Sequence, residues 1–304
     1  MFKYVLTLFV MMLTSFNSAY CIENVSEKGI EVNSKVTAVA ETKDGILIVI
    51  TKNNELIKIY ANGKQEKFNL DLKDKKSKSY FSDIEISGSR FVICNYDYPA
   101  LFVGSLDKPS QLVKIPIEGF VIPVKPMTVS AGLNSYFVKD AEDRTFKVLA
   151  ASNKITLMPP NTQVIPDIDS PIIIPPAEFK DGKTVFKGIV YNEKKQPIWK
   201  APKALEPEQV LDVSFLGTDK DKRYVYLVKS AKGELDEKYT VYAVKNNRII
   251  AKRIIPQPSD LSVMRYCKLS YNGYLIVVLP NSKNENGVTI RRLNLDFKKE
   301  KSAG

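Results

Sequence analysis

The feature that most constrains the fold is a short pattern that recurs along the chain. In each copy an apolar residue lies between small or polar residues, and a turn and a strongly apolar, strand-like run follow it. The copies are centred on Val39, Ile84, Val129, Val213 and Leu269. The first two intervals are 45 residues each, and the interval from Val129 to Val213 leaves room for one further copy. A period of this length predicts repeated supersecondary units that stack in one array.

The first copy shows what each unit contains. Four strand-like runs lie between Val36 and Leu72, separated by turn residues that include Asn53-Asn54 and Asn62-Gly63. Asn-Gly favours a type I′ hairpin turn, because both central positions of that turn need a positive φ. The unit is therefore predicted to be a sheet of four short antiparallel strands.

The expected extra unit contains a proline-rich stretch. Residues 159–176 hold six prolines, and proline cannot donate a hydrogen bond to a sheet ladder, so this stretch is predicted not to be an ordinary central strand. It is either a linker between two domains or an irregular unit with an extended loop, and the regular spacing on both sides favours the irregular unit. Residues 183–192 and 196–202 would supply its strands, with Trp199 in the core.

The two ends of the chain complement each other. The last copy shows only three strand-like runs, and the run Lys28–Ser34 before the first copy is predicted to supply its fourth strand. Such a strand would close a ring and remove exposed sheet edges. We therefore expect one domain over residues 21–297, followed by a flexible charged tail over residues 298–304.

These repeats resemble the β-propeller superfamily, in particular six-bladed proteins with NHL-like or quinoprotein-like repeats. The resemblance is architectural and covers most of the chain. The blades lack a terminal Trp-Asp, a kelch Gly-Gly pair, a Tyr-Trp-Thr-Asp repeat and the Ser-x-Asp-x-Gly-x-x-Trp box, so no specific subfamily is indicated. The resemblance to β-propellers implies an all-β fold: a six-bladed β-propeller closed by an N-terminal strand, with an irregular Pro-rich fourth blade. It assigns no functional residue.

Residues 1–20 have the pattern of a secretory signal peptide. Lys3 precedes an apolar run from Tyr4 to Leu13, and the small residues Ser18-Ala19 follow. This order predicts export to the periplasm, the cell surface or the medium. Cys21 lies where a lipoprotein carries its lipid, although Tyr20 does not fit the small residue expected before it. An uncleaved anchor and lipidation at Cys21 remain the alternatives, and only these would attach the protein to a membrane.

The residue types limit the available chemistry. The chain has no His, which excludes Ser-His-Asp and Cys-His catalysis and His-ligated metals or haem. Three Cys do not form a disulfide framework, and Cys94 and Cys267 are predicted to be free, buried thiols in non-adjacent units. No catalytic residue, metal site or cofactor is predicted.

The net charge of +11 favours an acidic partner, such as an envelope protein or an anionic polymer. The charges cluster at predicted turns, and solvated hairpin tips, the favoured interpretation, explain them without a partner. No nucleic-acid motif occurs, so nucleic acid is not an expected partner.

Four polar residues share one column of the repeats. Asp83, Thr128, Asp212 and Lys268 each precede the apolar centre of their unit. If these strands surround a central channel, the four side chains are candidate ligand-binding residues at its mouth. The structural alternative is that they pin the backbones of the inner strands.

Two functions follow from these patterns. The first is an exported, non-enzymatic propeller that binds or scaffolds an envelope protein or anionic polymer. The alternative is a carboxylate- and metal-dependent hydrolase or lyase, lactonase-like or acting on glycans, which requires several carboxylate or Asn oxygens to converge at the channel mouth.

Overall fold

The structure is a computed structural model, and its described part consists of strands and turns with no helix. It describes residues 29–70, 79–132, 134–160, 162–165, 170–173, 178–180, 183–185, 189–192, 197–200, 209–231, 237–246, 248–255, 267–281 and 284–295. A helix with the length and apolar character needed to cross a membrane is not found in these ranges. Residues 1–28 and 298–304 lie outside the described ranges. The predicted signal peptide, Cys21 and the predicted charged tail therefore lie outside them as well.

Among its described residues the structure shows five regular blades, each a four-stranded antiparallel sheet, so the predicted count of six blades is not borne out. Blade 1 contains β2 (Val36–Glu41), β3 (Leu47–Thr51), β4 (Glu55–Ile59) and β5 (Gln65–Asn69). Blade 2 contains β6 (Phe81–Ser87), β7 (Arg90–Asn95), β8 (Tyr98–Ser105) and β9 (Val113–Pro116). Blade 3 contains β10 (Pro126–Ala131), β11 (Ser135–Asp140), β12 (Thr145–Leu149) and β13 (Ile155–Leu157).

The other two regular blades come from the end of the chain. The penultimate blade contains β20 (Gln209–Thr218), β21 (Tyr224–Ala231), β22 (Glu237–Lys245) and β23 (Arg248–Ile255). The last blade contains β24 (Cys267–Leu269), β25 (Tyr274–Pro280) and β26 (Val288–Asn294), with β1 (Ile30–Val32) as its outer strand. β1 pairs antiparallel with β26, with Ile30 opposite Ile290. The strand predicted from Lys28–Ser34 therefore does complete the last blade.

The core consists of apolar layers between successive blades. In β3 the side chains alternate: Leu47 and Val49 pack against the last blade, and Ile48 and Ile50 pack against blade 2. Successive residues of a strand point to opposite faces of the sheet. Because a blade has a neighbour on each face, its central strands are apolar on both sides. This explains why apolar and polar residues do not alternate along β3.

The first strand of each blade lies at the centre of the array, where β6 contacts both β2 and β10, and β20 contacts β24. A one-residue register shift recurs near the start of four of these strands, between residues 36 and 38, 81 and 83, 126 and 128, and 210 and 212. A bulge of this kind turns the side chains that follow it toward a new direction. The repeated bulge therefore fixes which residues face the centre.

A five-residue turn connects many of the strands. The N–H of its first residue donates to the C=O of its fifth, as from Tyr60 to Lys64, and its fourth residue has a positive φ. The fourth positions are Gly45, Gly63, Asp143, Lys222 and Gly273. In the Asn62-Gly63 pair only Gly63 has a positive φ, at 83°. The hairpin prediction is confirmed, but the type I′ turn is wrong, because the loop is a type I turn followed by one left-handed residue.

The proline-rich region, which was predicted to be an irregular fourth blade, follows blade 3 and is less regular than the five blades above. A sheet with the order β14-β15-β18-β19 contains β14 (Thr162–Ile165), β15 (Ser170–Ile173), β18 (Ile189–Asn192) and β19 (Pro197–Lys200). A separate two-stranded sheet pairs β16 (Glu178–Lys180) with β17 (Lys183–Val185). The prediction that this stretch avoids a central strand is wrong for β15, which has neighbours on both sides. Pro171 pairs only with β14, at Val164, so the missing N–H does not interrupt the β18 ladder.

A glycine in blade 2 offers a sharp test of packing. Gly104 in β8 lies directly opposite Phe91 in β7, and a Cβ at Gly104 would approach Phe91 Cζ to 2.3 Å. G104A should therefore lower the free energy of unfolding by about 1–3 kcal/mol through overpacking. The cost of G104A should fall to less than half in an F91L background, which removes the ring. Urea unfolding of the four proteins measures this coupling, and strictly additive losses would contradict it.

Candidate functional site at the channel mouth

Strand register places the predicted column residues at equivalent positions. Asp83, Thr128 and Asp212 each come directly after the bulge of their central strand. Lys268 is the middle residue of β24, opposite Ile276. The structure does not describe the side chain of Asp212, and Thr128 is half-buried. The alignment of the repeats is thus correct at the level of the backbone.

The structure brings two of the four residues together as an ion pair. Lys268 Nζ lies 3.0 Å from Asp83 Oδ1, and the two side chains are 17% and 1% exposed. The Val129 N–H donates to Asp83 Oδ2 at 2.9 Å. Asp83 belongs to blade 2, Lys268 to the last blade and Val129 to blade 3, so one buried carboxylate connects three blades. The corresponding residue of the intervening blade 1 is the buried Ala38.

The lysine is held in its charged form. Burial by itself lowers the pKa of Lys268, but the nearby carboxylates of Asp83 and Glu85 outweigh burial and raise that pKa above its ordinary value. Lys268 is therefore a structural cation at neutral pH. A lysine nucleophile requires the opposite shift, because it must lose its proton near neutral pH to react.

A second charged cluster joins blade 1 to the last blade at the same end of the channel. Arg292 Nε donates to Glu41 Oε1 at 2.6 Å, and Arg292 also donates to the Gly45 carbonyl at 3.0 Å. The Ser270 hydroxyl hydrogen-bonds to the other oxygen of Glu41. Both charged side chains are largely buried. This cluster fixes the turn that contains Gly45 against the neighbouring blade.

The mouth itself encloses little space. Its pocket has a volume of about 80 Å³ and is lined by residues that include Glu41, Glu85, Thr218 and Lys268. Sites for small organic ligands commonly measure about 300–1,000 Å³. Of the four predicted residues only Lys268 lines this pocket, and its partner Asp83 is buried. The pocket has the size and polarity for water or a small ion.

The sequence missed several residues of this site. Glu41 and Arg292 are far apart in the chain, and neither falls in the shared column. Glu85 was recognisable, because residues two apart in a strand face the same side and Asp83 was already a candidate. Arg291, the sequence neighbour of Arg292, is exposed, whereas Arg292 pairs with Glu41.

Other predicted features have simple structural roles or lie outside the described ranges. Cys94 and Cys267 are buried and free, as predicted, and burial raises the pKa of Cys267 to about 12. Two Asp-x-Asp pairs, Asp167–Asp169 and Asp219–Asp221, could each offer oxygens to calcium but are better interpreted as turn residues, and Asp219 and Asp221 do belong to a turn. Groups of three or more His, Cys, Asp or Glu with metal-binding geometry do not occur among the described residues. Asp167 and Asp169 fall outside these residues.

Comparison with known proteins identifies the fold. No protein-family model matches the chain, and no curated protein matches its sequence. Among solved structures, the chain is similar to that of U3-55K, with a TM-score of 0.51 and 12% identity over 86% of this chain and 96% of that one. It is also similar to YCF48 from Cyanidioschyzon merolae, with a TM-score of 0.50 and 10% identity over 88% of this chain and 98% of that one. At this identity the likeness shows the fold alone, which is a β-propeller.

Proposed function

We propose that this chain is an exported, non-enzymatic propeller that binds or scaffolds an envelope protein or an anionic polymer. The observation that carries the proposal is the state of the channel mouth. Its charged groups are used in contacts between blades, as in Asp83–Lys268 and Glu41–Arg292, and its pocket is small. Partner recognition on the outer surface fits this arrangement better than chemistry in the channel. The net charge of +11 supports an acidic partner.

The finer architecture forms part of the same proposal. We expect the sheet β14-β15-β18-β19 to act as an irregular fourth blade, so that the ring contains six blades and is closed. The contacts of β14 and β17 with β20 support this placement, as does the pairing of β1 with β26. A closed ring has no free sheet edge at its ends, which suits a scaffold outside the cell.

Export is proposed from the sequence of residues 1–20. We expect cleavage after Ala19, with Cys21 unmodified. Mass spectrometry of the protein isolated from its native cells should show an N-terminus at Tyr20 or later without an acyl mass. An acylated Cys21 would instead establish a lipid-anchored assembly factor.

Crosslinking mass spectrometry on native membranes and envelope extracts tests the binding function. We expect crosslinks from the blade surfaces to one recurring protein, retained in affinity purification at moderate salt. A polymer partner would instead appear as salt-sensitive retention on the isolated polymer. Recovery of the monomer alone at every salt concentration would contradict the proposal.

The hydrolase or lyase alternative gains no support at the mouth. Its requirement was a set of convergent carboxylate or Asn oxygens. Instead, Glu41 accepts from Arg292 and Ser270, and Asp83 is paired with Lys268. We therefore retain the binding function as the proposal.

A further inference from the structure

A groove runs along the boundary between blades 2 and 3, outward from the channel mouth. Its inner part has a volume of about 280 Å³ and lies between the β6–β7 and β10–β11 turns. Its outer part has a volume of about 520 Å³ and lies over β8 and β9. Arg90, Tyr136 and Ala150 line both parts, and Gly88 lines both the inner part and the mouth pocket. Neighbouring concavities thus share wall residues.

The length of the groove follows from the strands it crosses. It extends over the four strands of blade 2, which are three strand spacings or about 14 Å. An extended peptide advances about 3.3–3.6 Å per residue, so roughly four residues fill this distance.

The lining changes character along the groove. The inner part combines small residues, among them Ser87 and Gly132, with the larger Phe91 and Tyr136. The outer part is mainly aliphatic and includes Leu112 and Val113. Val113 is 65% exposed although it is apolar. Narrow walls of small residues suit a peptide backbone, and the aliphatic end suits an apolar side chain.

The charged lining of the groove is positive only. No Asp or Glu lines either part, and Arg90 is the cation at their junction. Arg90 is exposed, and no hydrogen bond or ion pair joins its guanidinium to the residues that the structure describes. The flanking turns carry Lys108 and Lys154, with Asp107 as an exposed carboxylate outside the lining. An unpaired guanidinium is suited to a planar carboxylate partner.

We propose that this groove binds an extended segment of a partner protein, about four residues long, that carries an acidic residue next to an aliphatic one. The carboxylate pairs with Arg90, and the aliphatic side chain occupies the outer part beside Val113 and Tyr136. The inference rests on the proposed binding function and specifies its partner as a protein. An anionic polymer would use Arg90 but would gain nothing from the aliphatic half of the groove.

Two pairs of variants separate the groove from general surface effects. R90E reverses the charge inside the groove, and R291E makes the same change at an exposed residue of the last blade. V113E places a charge in the aliphatic part, and I254E does so at a 58% exposed apolar residue of another outer strand. All four positions are exposed, so the variants should fold, and thermal unfolding checks this. R90Q and V113N replace any variant that does not fold.

The test begins with a phage-displayed library of random linear twelve-residue peptides, selected on the purified wild-type protein. We expect the enriched peptides to share an Asp or Glu adjacent to Leu, Ile or Val. The most enriched peptide, labelled with a fluorophore, should bind R90E and V113E at least about tenfold more weakly than wild type by fluorescence anisotropy. It should bind R291E and I254E within about twofold of wild type.

Three results would overturn the inference. These are the absence of an enriched motif, peptide binding that R90E and V113E leave unchanged, and binding of polyphosphate that R90E abolishes while V113E does not. The proposed function is tested separately by repeating the crosslinking with R90E. A protein partner that R90E retains in full would preserve the binding function and overturn the groove, whereas failure to find either a partner protein or a polymer would count against the function itself.

Discussion

K268M should lower the free energy of unfolding by about 3 kcal/mol, because it leaves the buried Asp83 carboxylate without its cation. Asp83 is 1% exposed at the side chain and lies at the centre of contacts between three blades. Urea unfolding gives the value, and K220M, at an exposed turn lysine, is the matched control with an expected change below about 0.5 kcal/mol. A loss for K268M no larger than that of K220M would show that the ion pair does not stabilise the fold.

The same ion pair makes two further predictions. D83N/K268M should be closer to wild type than K268M, because it removes both charges while the amide oxygen still accepts from Val129. The pKa of Lys268 is raised above 10.5 in the folded protein, so the pair stabilises fully below that pH and loses its contribution as pH rises through the raised pKa. The difference between wild type and K268M should therefore be constant from neutral pH to about pH 10 and shrink at higher pH.

Local patterns predicted the fold well where each unit is built from consecutive residues. The strands of blade 1 and the turns at Asn54 and Gly63 follow from apolar runs and turn residues that lie next to each other in the chain. The pairing of β1 with β26 required one more argument, the need to cover a sheet edge. The proline-rich region was misjudged because proline excludes a strand only where its missing N–H faces a ladder, and at Pro171 the described ladder lies on one side.

The candidate site was less predictable, because its contacts join residues from different blades. The repeat column gave the positions of Asp83 and Lys268, but the two residues pair across blade 1 from blades that are far apart in the chain, and no local pattern predicts that contact. Glu41 and Arg292 meet across 251 residues of sequence, a distance over which no local pattern operates. The groove beside Arg90 depends equally on how blades 2 and 3 are spaced, and spacing is set by side-chain packing.

The second large effect is expected at a turn of the penultimate blade. Asp219 Oδ1 accepts from the N–H groups of Asp221 and Arg223 at 3.0 Å each, and its Oδ2 accepts from Arg223 Nε. The side chains of Asp219 and Arg223 are 0% and 7% exposed. D219A should lower the free energy of unfolding by about 3 kcal/mol, because two turn N–H groups lose their acceptor and the buried Arg223 guanidinium loses its buried carboxylate. Asp221 Oδ2 lies 3.7 Å from Arg223 Nη2, but the Asp221 side chain is 50% exposed and compensates only weakly.

Blade 3 supplies a matched control for this turn. Asp140 accepts from the N–H groups of Glu142 and Arg144 and from the Arg144 guanidinium in the same way. Arg144 is 21% exposed, and its guanidinium also donates to the carbonyls of Ile122 and Pro123. Because water and these carbonyls can compensate for the lost acceptor, D140A should cost only about 1–2 kcal/mol. Thermal or urea unfolding measures both losses. If D219A and D140A lower the free energy of unfolding equally, the turn hydrogen bonds that both sites share determine the loss, and the burial of the ion pair does not.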